Sequence, residues 1–322
     1  MKIGAWIHTG DGISLNSQIG LACQSGMNTL RCYDIAYAQA AAPALRGTGM
    51  SLVGGMHVEA EALLRDWRSQ LRLEELAHYH ELGIPLEAIC VGNELREGGD
   101  APDSKCFTAR LSFGLANVLA TYRNWLDDRG LATPLTYAME GIVFDPLANF
   151  HEWLWPLIDA CDVVSVNLYP MDASAWFTFA AFEESRRLLC EPRARGDRFA
   201  LFELHLRRIL QQLERAGKPL LLSETGFPSA VGHHTQGDLV VPESDHARYG
   251  EAMQAFVALI RQVNAEYGQR IQAVYIYEWR DNLHHPKIWN VEQSPIHTAF
   301  GLCDRFGLPK FDLASLTRLA GP

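Results

Sequence analysis

Apolar residues along the chain fall into two alternating rhythms. Short runs, apolar almost throughout, occur at Lys2–His8, Thr29–Ile35, Leu52–Val58, Leu86–Val91, Pro134–Met139, Val163–Tyr169, Pro219–Ser223 and Ala273–Tyr277. Between them lie longer stretches in which apolar side chains return every third or fourth position. Phe107–Asp128 aligns Leu111, Leu115, Val118, Leu119, Tyr122, Trp125 and Leu126 on one face, and Asp245–Tyr267 aligns Tyr249, Met253, Phe256, Ile260 and Val263. The first rhythm predicts strands buried on both faces, and the second predicts helices with one buried stripe.

Glycine and proline support this register. Gly26, Gly49, Gly83, Gly130, Gly217 and Gly268 each follow a helical stretch and stand a few residues before a strand, where glycine can close a helix in the left-handed conformation. Pro85, Pro134 and Pro219 stand at strand entries, where a missing N–H costs no ladder hydrogen bond. Eight strand–helix units predict an α/β protein, a (β/α)8 TIM barrel with eight parallel strands and an outer layer of helices. An open nucleotide-binding sheet would want a glycine-rich turn after the first strand. Thr9-Gly10-Asp11-Gly12 is not GxGxxG, and GxxxxGK[ST] is absent. With no linker and no repeat, residues 1–322 read as a single catalytic domain, although length alone, at roughly 150 residues per domain, allows two.

Composition narrows the partners. Hydrophobic residues make up 48%, which excludes disorder, and no apolar run approaches the ~20 residues of a membrane helix. The formal charge of −10 weighs against nucleic acid or an anionic membrane and leaves neutral substrates open. Cys23, Cys32, Cys90, Cys106, Cys161, Cys190 and Cys303 are scattered singly with no CxxC, which reads as reduced thiols in apolar surroundings rather than a disulfide framework. Met1–His8 is too short and too soon polar for a signal peptide. The expectation is a cytoplasmic protein, exported only if a leader has been removed. Oligomeric state is not legible.

In such a barrel the chemistry sits where strands end. The first strand ends in His8, the second in Arg31, Tyr33 and Asp34, the third in His57 and Glu59, and the fourth in Asn93 and Glu94. The fifth ends in Tyr137 and Glu140, the sixth in Asn167 and Tyr169, the seventh in Glu224, and the eighth in Tyr277, Glu278 and Trp279. Glu94 and Glu224 follow apolar runs on the fourth and seventh strands, so they can face each other across the mouth. Two such carboxylates suit glycoside hydrolysis with retention, one as acid and one as nucleophile, about 5–5.5 Å apart and with separated pKa values. The bland alternative, two solvated loop acids, does not account for matching contexts on two strands.

Val91-Gly92-Asn93-Glu94 and Leu222-Ser223-Glu224-Thr225-Gly226-Phe227-Pro228-Ser229 resemble the two active-site motifs of glycoside hydrolase family 17, the β-1,3-glucanases and related glucanosyltransferases. Val166-Asn167-Leu168-Tyr169-Pro170 is similar to its sixth-strand segment, Leu30–Asp34 to its second-strand segment, and Phe300-Gly301-Leu302-Cys303-Asp304 with Gly307-Leu308-Pro309-Lys310 to its closing segment. The resemblance implies a retaining barrel with Glu94 as acid/base and Glu224 as nucleophile. It implies that Asn93 bonds the sugar 2-OH, that Tyr169 stands beside the nucleophile, and that Arg31 and Tyr33 line the subsite floor. For Tyr169 a place in the barrel core is an equal alternative. The chain departs from the family's plant members before Phe300, where His297 takes the place of a carboxylate, and in the eighth-strand wording Tyr277–Asn282.

Sugars pack their C–H faces on aromatic rings, and Trp279 and then Trp289 are the expected platforms, with Tyr137 counted among the substrate-binding groups. Trp6 can be barrel filling. No HExxH or CxxC supports a metal, and adjacent pairs such as His233-His234 and His284-His285 cannot easily share one ion, so neither metal nor cofactor is expected. The expected substrate is a β-glucan or β-gluco-oligosaccharide, β-1,3-linked. A glucanosyltransferase on the same site, another barrel of the same clan such as an endo-β-galactanase, and a carbohydrate-binding barrel without turnover stay open.

Overall fold

Eight short apolar strands join through parallel ladders until the last meets the first. The computed structural model describes residues 1–8, 13–98, 107–144, 152–170, 199–236, 239–282 and 298–320. The strands are β1 (Lys2–Trp6), β2 (Thr29–Arg31), β3 (Ser51–Met56), β4 (Leu86–Asn93), β5 (Leu135–Glu140), β6 (Val164–Asn167), β7 (Leu220–Thr225), β8 (Ala230–Gln236), β9 (Leu239–Ser244) and β10 (Ile271–Ile276). The closed barrel runs β1-β10-β7-β6-β5-β4-β3-β2, and β8 and β9 form a separate antiparallel hairpin. The expected (β/α)8 architecture is therefore the observed one.

Period-two alternation sorts each strand between two cores. Trp6, Val53, Ala88, Cys90, Ala138, Val163, Leu221, Ala273 and Tyr275 fill the barrel interior. Ile3, Ala5, Ile7, Leu52, Ile89, Val91, Leu222 and Val274 point outward and pack under the helices. Trp6 is thus barrel filling, as the sequence allowed. Cys32, Cys90, Cys161 and Cys303 are buried, as small hydrophobes should be.

The helices begin where polar side chains cap them. Thr108 accepts from the Leu111 N–H and starts the helix Ala109–Asp127, and Asp245 accepts from the Arg248 N–H and starts His246–Glu266. Both lie within two residues of the sequence expectation. β2 is shorter than expected because Asp34 accepts from the Tyr37 N–H and caps the helix Ile35–Thr48. Gly26, Gly49, Gly83, Gly130, Gly217 and Gly268 all take positive φ, as their places after helical stretches required. The β8–β9 hairpin was not anticipated, although Gly237-Asp238 between Thr235-Gln236 and Leu239-Val240 is a hairpin signal. Among the described residues no helix is long and apolar enough to cross a membrane.

A buried ion pair fastens the closing segment to the barrel. After β10, Asp281 accepts from the Gly301 N–H at 2.9 Å and from Lys310 Nζ at 2.6 Å. Lys310 also donates to Ser229 Oγ at 2.7 Å and to the Ala299 carbonyl at 3.1 Å, so all three ammonium donors are used. Burial pushes Asp281 up to about 6 against the pull of Lys310. Lys310→Met would leave the Asp281 charge uncompensated and should cost about 3–5 kcal/mol in urea denaturation. Asp281 alone can relieve itself by taking a proton, so the loss should be larger near pH ~8 than near pH ~5. A pH-independent loss would show that packing, not charge, holds the segment.

Candidate active site

Glu94 is aimed by an irregularity in β4. The β4–β5 register shifts between Cys90 and Asn93, around Gly92 at φ +83°. The bulge re-aims the strand end. Glu94 itself sits at φ +47°, a left-handed conformation costing an L-residue about 1–2 kcal/mol. Neighbouring groups hold it there: the Glu94 N–H donates to the Ala138 carbonyl at 3.0 Å, and the Leu95 N–H donates to Tyr137 Oη at 2.8 Å. Tyr137, expected to touch substrate, is 1% exposed and stacked against Phe107. Its hydroxyl supports the backbone that carries Glu94.

Glu224 is presented by β7, and Ser223, Gly226, Phe227 and Ser229 of its motif each have a physical task. The Ser223 carbonyl accepts from Trp6 Nε1 at 3.0 Å and from Arg31 Nη1, while Ser223 Oγ donates to Asn167 Oδ1 at 2.7 Å. Gly226 adopts φ +140°, and a Cβ there would stand 2.8 Å from the Tyr277 carbonyl oxygen. Phe227 anchors the turn among Phe199, Tyr249 and Phe256. Ser229 ties it to Lys310.

Arg31 joins these strand ends. It is 1% exposed inside the barrel, with its guanidinium 4.2 Å from the centre of the Trp6 ring. Nη1 donates to Asn167 Oδ1 at 3.2 Å and lies 3.6 Å from Glu224 Oε1, and Nη2 donates to Asn93 Oδ1 at 2.8 Å. Asn167 completes the link, donating to Asn93 Oδ1 at 3.1 Å and to Glu94 Oε1 at 2.8 Å. Tyr169 Oη donates to Glu224 Oε2 at 2.8 Å. Arg31, Asn93, Glu94, Tyr169 and Glu224 are therefore brought together. Asn167 and Ser223, which no sequence argument had singled out as site residues, are the groups that connect them. Asn167 was visible as a polar strand end.

The two glutamates stand in different fields. Burial raises both carboxyls. For Glu224 the Arg31 charge, the Tyr169 hydroxyl and the amides of Asn167 and Asn93 pull back towards ionisation. For Glu94 the charges of Glu224 and Glu140 push further up, opposed by the Asn167 amide and Arg96, and it stands well above the ordinary carboxylate range. Ion pairing tells the same story. Glu224 lies by Arg31, Glu140 by Arg96, Glu278 2.8 Å from His8, and Asp281 2.6 Å from Lys310. Glu94 has an amide donor where the others have a cation. One proton shared by two such carboxylates resides on Glu94.

Aromatic residues line the rest. Tyr33 is 40% exposed with its ring centre 3.8 Å from that of Trp6. Tyr277 is half-buried, edge-on to Trp6, Tyr169 and Phe300. Trp279, the first expected sugar platform, is instead 1% exposed and packed within the larger apolar cluster. The aromatic group that the end of β10 brings to the mouth is Tyr277, two residues earlier. Trp289 and His297 lie outside the described residues. Among the described residues no group of three or more His, Cys, Asp or Glu could hold a metal ion.

No protein-family model and no curated protein sequence matches the chain. Solved structures do. An endo-laminarinase from Formosa Hel1_33_131 aligns over 94% of this chain and 83% of its own, with 16% identity and a TM-score of 0.64. CJP38, a β-1,3-glucanase and allergen of Cryptomeria japonica pollen, aligns over 97% and 98%, with 15% identity and a TM-score of 0.61. A structure of fungal β-1,4-galactanases aligns over 98% and 99%, with 12% identity and a TM-score of 0.59. At these identities the likeness establishes the shared barrel.

Tyr169→Phe should raise the Glu224 pKa, because the hydroxyl bonds the ionised carboxylate. A carboxyl carbon titration by NMR reads this directly. An unmoved or lowered value would refute the role given to Tyr169.

Proposed function

We propose that the chain is a retaining β-glycoside hydrolase of the family 17 type, acting on a neutral β-glucan or β-gluco-oligosaccharide with β-1,3 linkages, and that residues 1–322 form one catalytic unit. The observation that carries the reading is the electrostatic split between Glu94 and Glu224 at the ends of β4 and β7. The solved structures of similar fold that are glucanases and a galactanase support the same class of chemistry.

In this reading Glu224 is the nucleophile. Tyr169 holds Oε2, while Oε1 is buried without a hydrogen-bond partner and is the atom that attacks the anomeric carbon. Glu94, protonated, gives its proton to the departing glycosidic oxygen. An ester between Glu224 and the sugar results. Glu94, now ionised, takes a proton from water, whose oxygen attacks the same carbon and releases Glu224. Arg31 keeps Glu224 ionised between turnovers. Asn93 has its carbonyl oxygen engaged by Arg31 and Asn167, which turns its amide N–H groups towards Glu224 and the sugar 2-OH. Another sugar can replace water in the second step, giving transfer rather than hydrolysis.

Laminarin digestion followed by proton NMR tests the reading, the first-formed product being the β-anomer. Glu94→Gln and Glu224→Gln should each lower kcat by about 10^3-fold or more. Full activity in either variant, or an α-anomer as first product, would overturn the assignment. Mass spectrometry with excess acceptor separates hydrolysis from transfer.

The pH profile has a determined sign. Glu94 must be protonated, so activity falls as pH rises through its raised pKa. Glu224 must be ionised, so activity falls again as pH drops below its own. The profile should be a bell whose alkaline limb lies well above the ordinary carboxylate range, the two limbs belonging to the coupled pair. An alkaline limb in the ordinary carboxylate range would contradict the protonated Glu94.

A further inference from the structure

Two buried carboxylate oxygens among the described residues have no hydrogen-bond partner, Glu224 Oε1 and Glu278 Oε1. The first is the attacking atom of the mechanism above. The second has no task there. Glu278 directly follows β10 and is 1% exposed. Its Oε2 lies 2.8 Å from His8 Nε2, at the end of the neighbouring β1. Burial alone would lower the His8 pKa, but the Glu278 carboxylate outweighs it and the imidazole is raised, so the two form an ion pair. That pair fixes one oxygen of Glu278 and leaves the other. A buried carboxylate oxygen without a donor is costly and calls for a partner that arrives from outside.

Glu278 directly follows Tyr277, whose ring is edge-on to Tyr169, the residue that donates to Glu224. The charges of both Glu224 and Glu278 act on the hydroxyls of Tyr33 and Tyr277. The ring order fixes the side of the cleft: β10 is next to β7 and four strands from β4 in either direction. Glu278 therefore stands across the barrel from Glu94, with Glu224 between. In a double displacement the acid faces the leaving group. The group opposite the acid faces the sugar being transferred.

We propose that Glu278 is a substrate-binding residue whose Oε1 accepts a hydroxyl of the neutral sugar on the transferred side of the scissile bond, with His8 holding the carboxylate in place. This rests on the two-glutamate reading above and adds a specificity element to it. A hydroxyl is the donor that a neutral hexose supplies, and an anionic sugar would meet like charge from Glu224 and Glu278 together.

Calorimetry with laminaritriose tests it in a Glu224→Gln background, where the ligand is not turned over. Adding Glu278→Gln should weaken binding about 10- to 100-fold, the range of a hydrogen bond to a charged group. Thermal unfolding of the double variant confirms that it is folded. A second arm needs no change at Glu278. Laminaritriose analogues each lacking one hydroxyl are titrated into Glu224→Gln, and one of them should lose the same factor and lose nothing further when Glu278→Gln is added. Undiminished binding to Glu278→Gln, or no sensitive hydroxyl, overturns this assignment while the catalytic reading stands. If Glu224→Gln does not bind laminaritriose and the unaltered protein does not cleave laminarin, the catalytic reading falls and this one with it.

Discussion

A single buried guanidinium organises the mouth of this barrel. Arg31 lies at the end of a three-residue strand, inside a cylinder filled by apolar side chains, and a cation there is expensive unless paired and fully bonded. Its partners are the carbonyl of Ser223, the side-chain oxygens of Asn93 and Asn167, and the carboxylate of Glu224. These come from β4, β6 and β7. The same requirement that neutralises Arg31 therefore gathers the residues of the site. It also sets their charge: one cation in the interior balances one carboxylate, and the second carboxylate keeps its proton. The separate acid and nucleophile roles proposed above rest on this charge balance rather than on any difference between two glutamates as residues.

The strand ends are where the fold departs from ideal geometry, and the departures lie under the site. Gly92 and Glu94 take positive φ beside a register shift, and β7 shifts register against β6 at Val166–Asn167, next to Glu224. Regular strands would continue to alternate in and out and would send alternate side chains into the helix layer. The irregularities turn Asn93 and Glu94 towards the mouth. Tyr137 and the Ala138 carbonyl hold the strained turn, so a residue that does not face the cleft still determines where Glu94 stands.

This division explains what the sequence made legible. Burial writes itself as apolar rhythm, and helix ends write themselves as caps and glycines, so the barrel strands other than β2 and the two longest helices could be read to within two residues. The two glutamates were legible because strand ends carry the polar residues. The aromatic contacts were harder to read. Trp279 looked like a platform because large rings at strand ends often face ligands, yet it is buried within the larger apolar cluster. Asn167 was visible only as one polar residue among several, because its importance lies in bonding both Asn93 and Glu94, and a hydrogen-bond pattern has no sequence period.

The planar fork of Arg31 has consequences that charge alone does not. A lysine at this position would supply one point charge, whereas the guanidinium serves separate acceptors on its two terminal nitrogens and lies over the Trp6 ring. Nη1 faces Ser223, Asn167 and Glu224, and Nη2 faces Asn93. Glu224 and the Asn93 amide beside Glu94 are thus held at fixed spacing by one rigid group. Such rigidity suits the double displacement proposed above, in which both glutamates would act in each half of the reaction. The overall charge of −10 has little bearing on this. Among the described residues Glu224, Glu140, Glu278 and Asp281 each stand beside a cation, whereas Glu94 has an amide donor, which suits the acid role proposed for it.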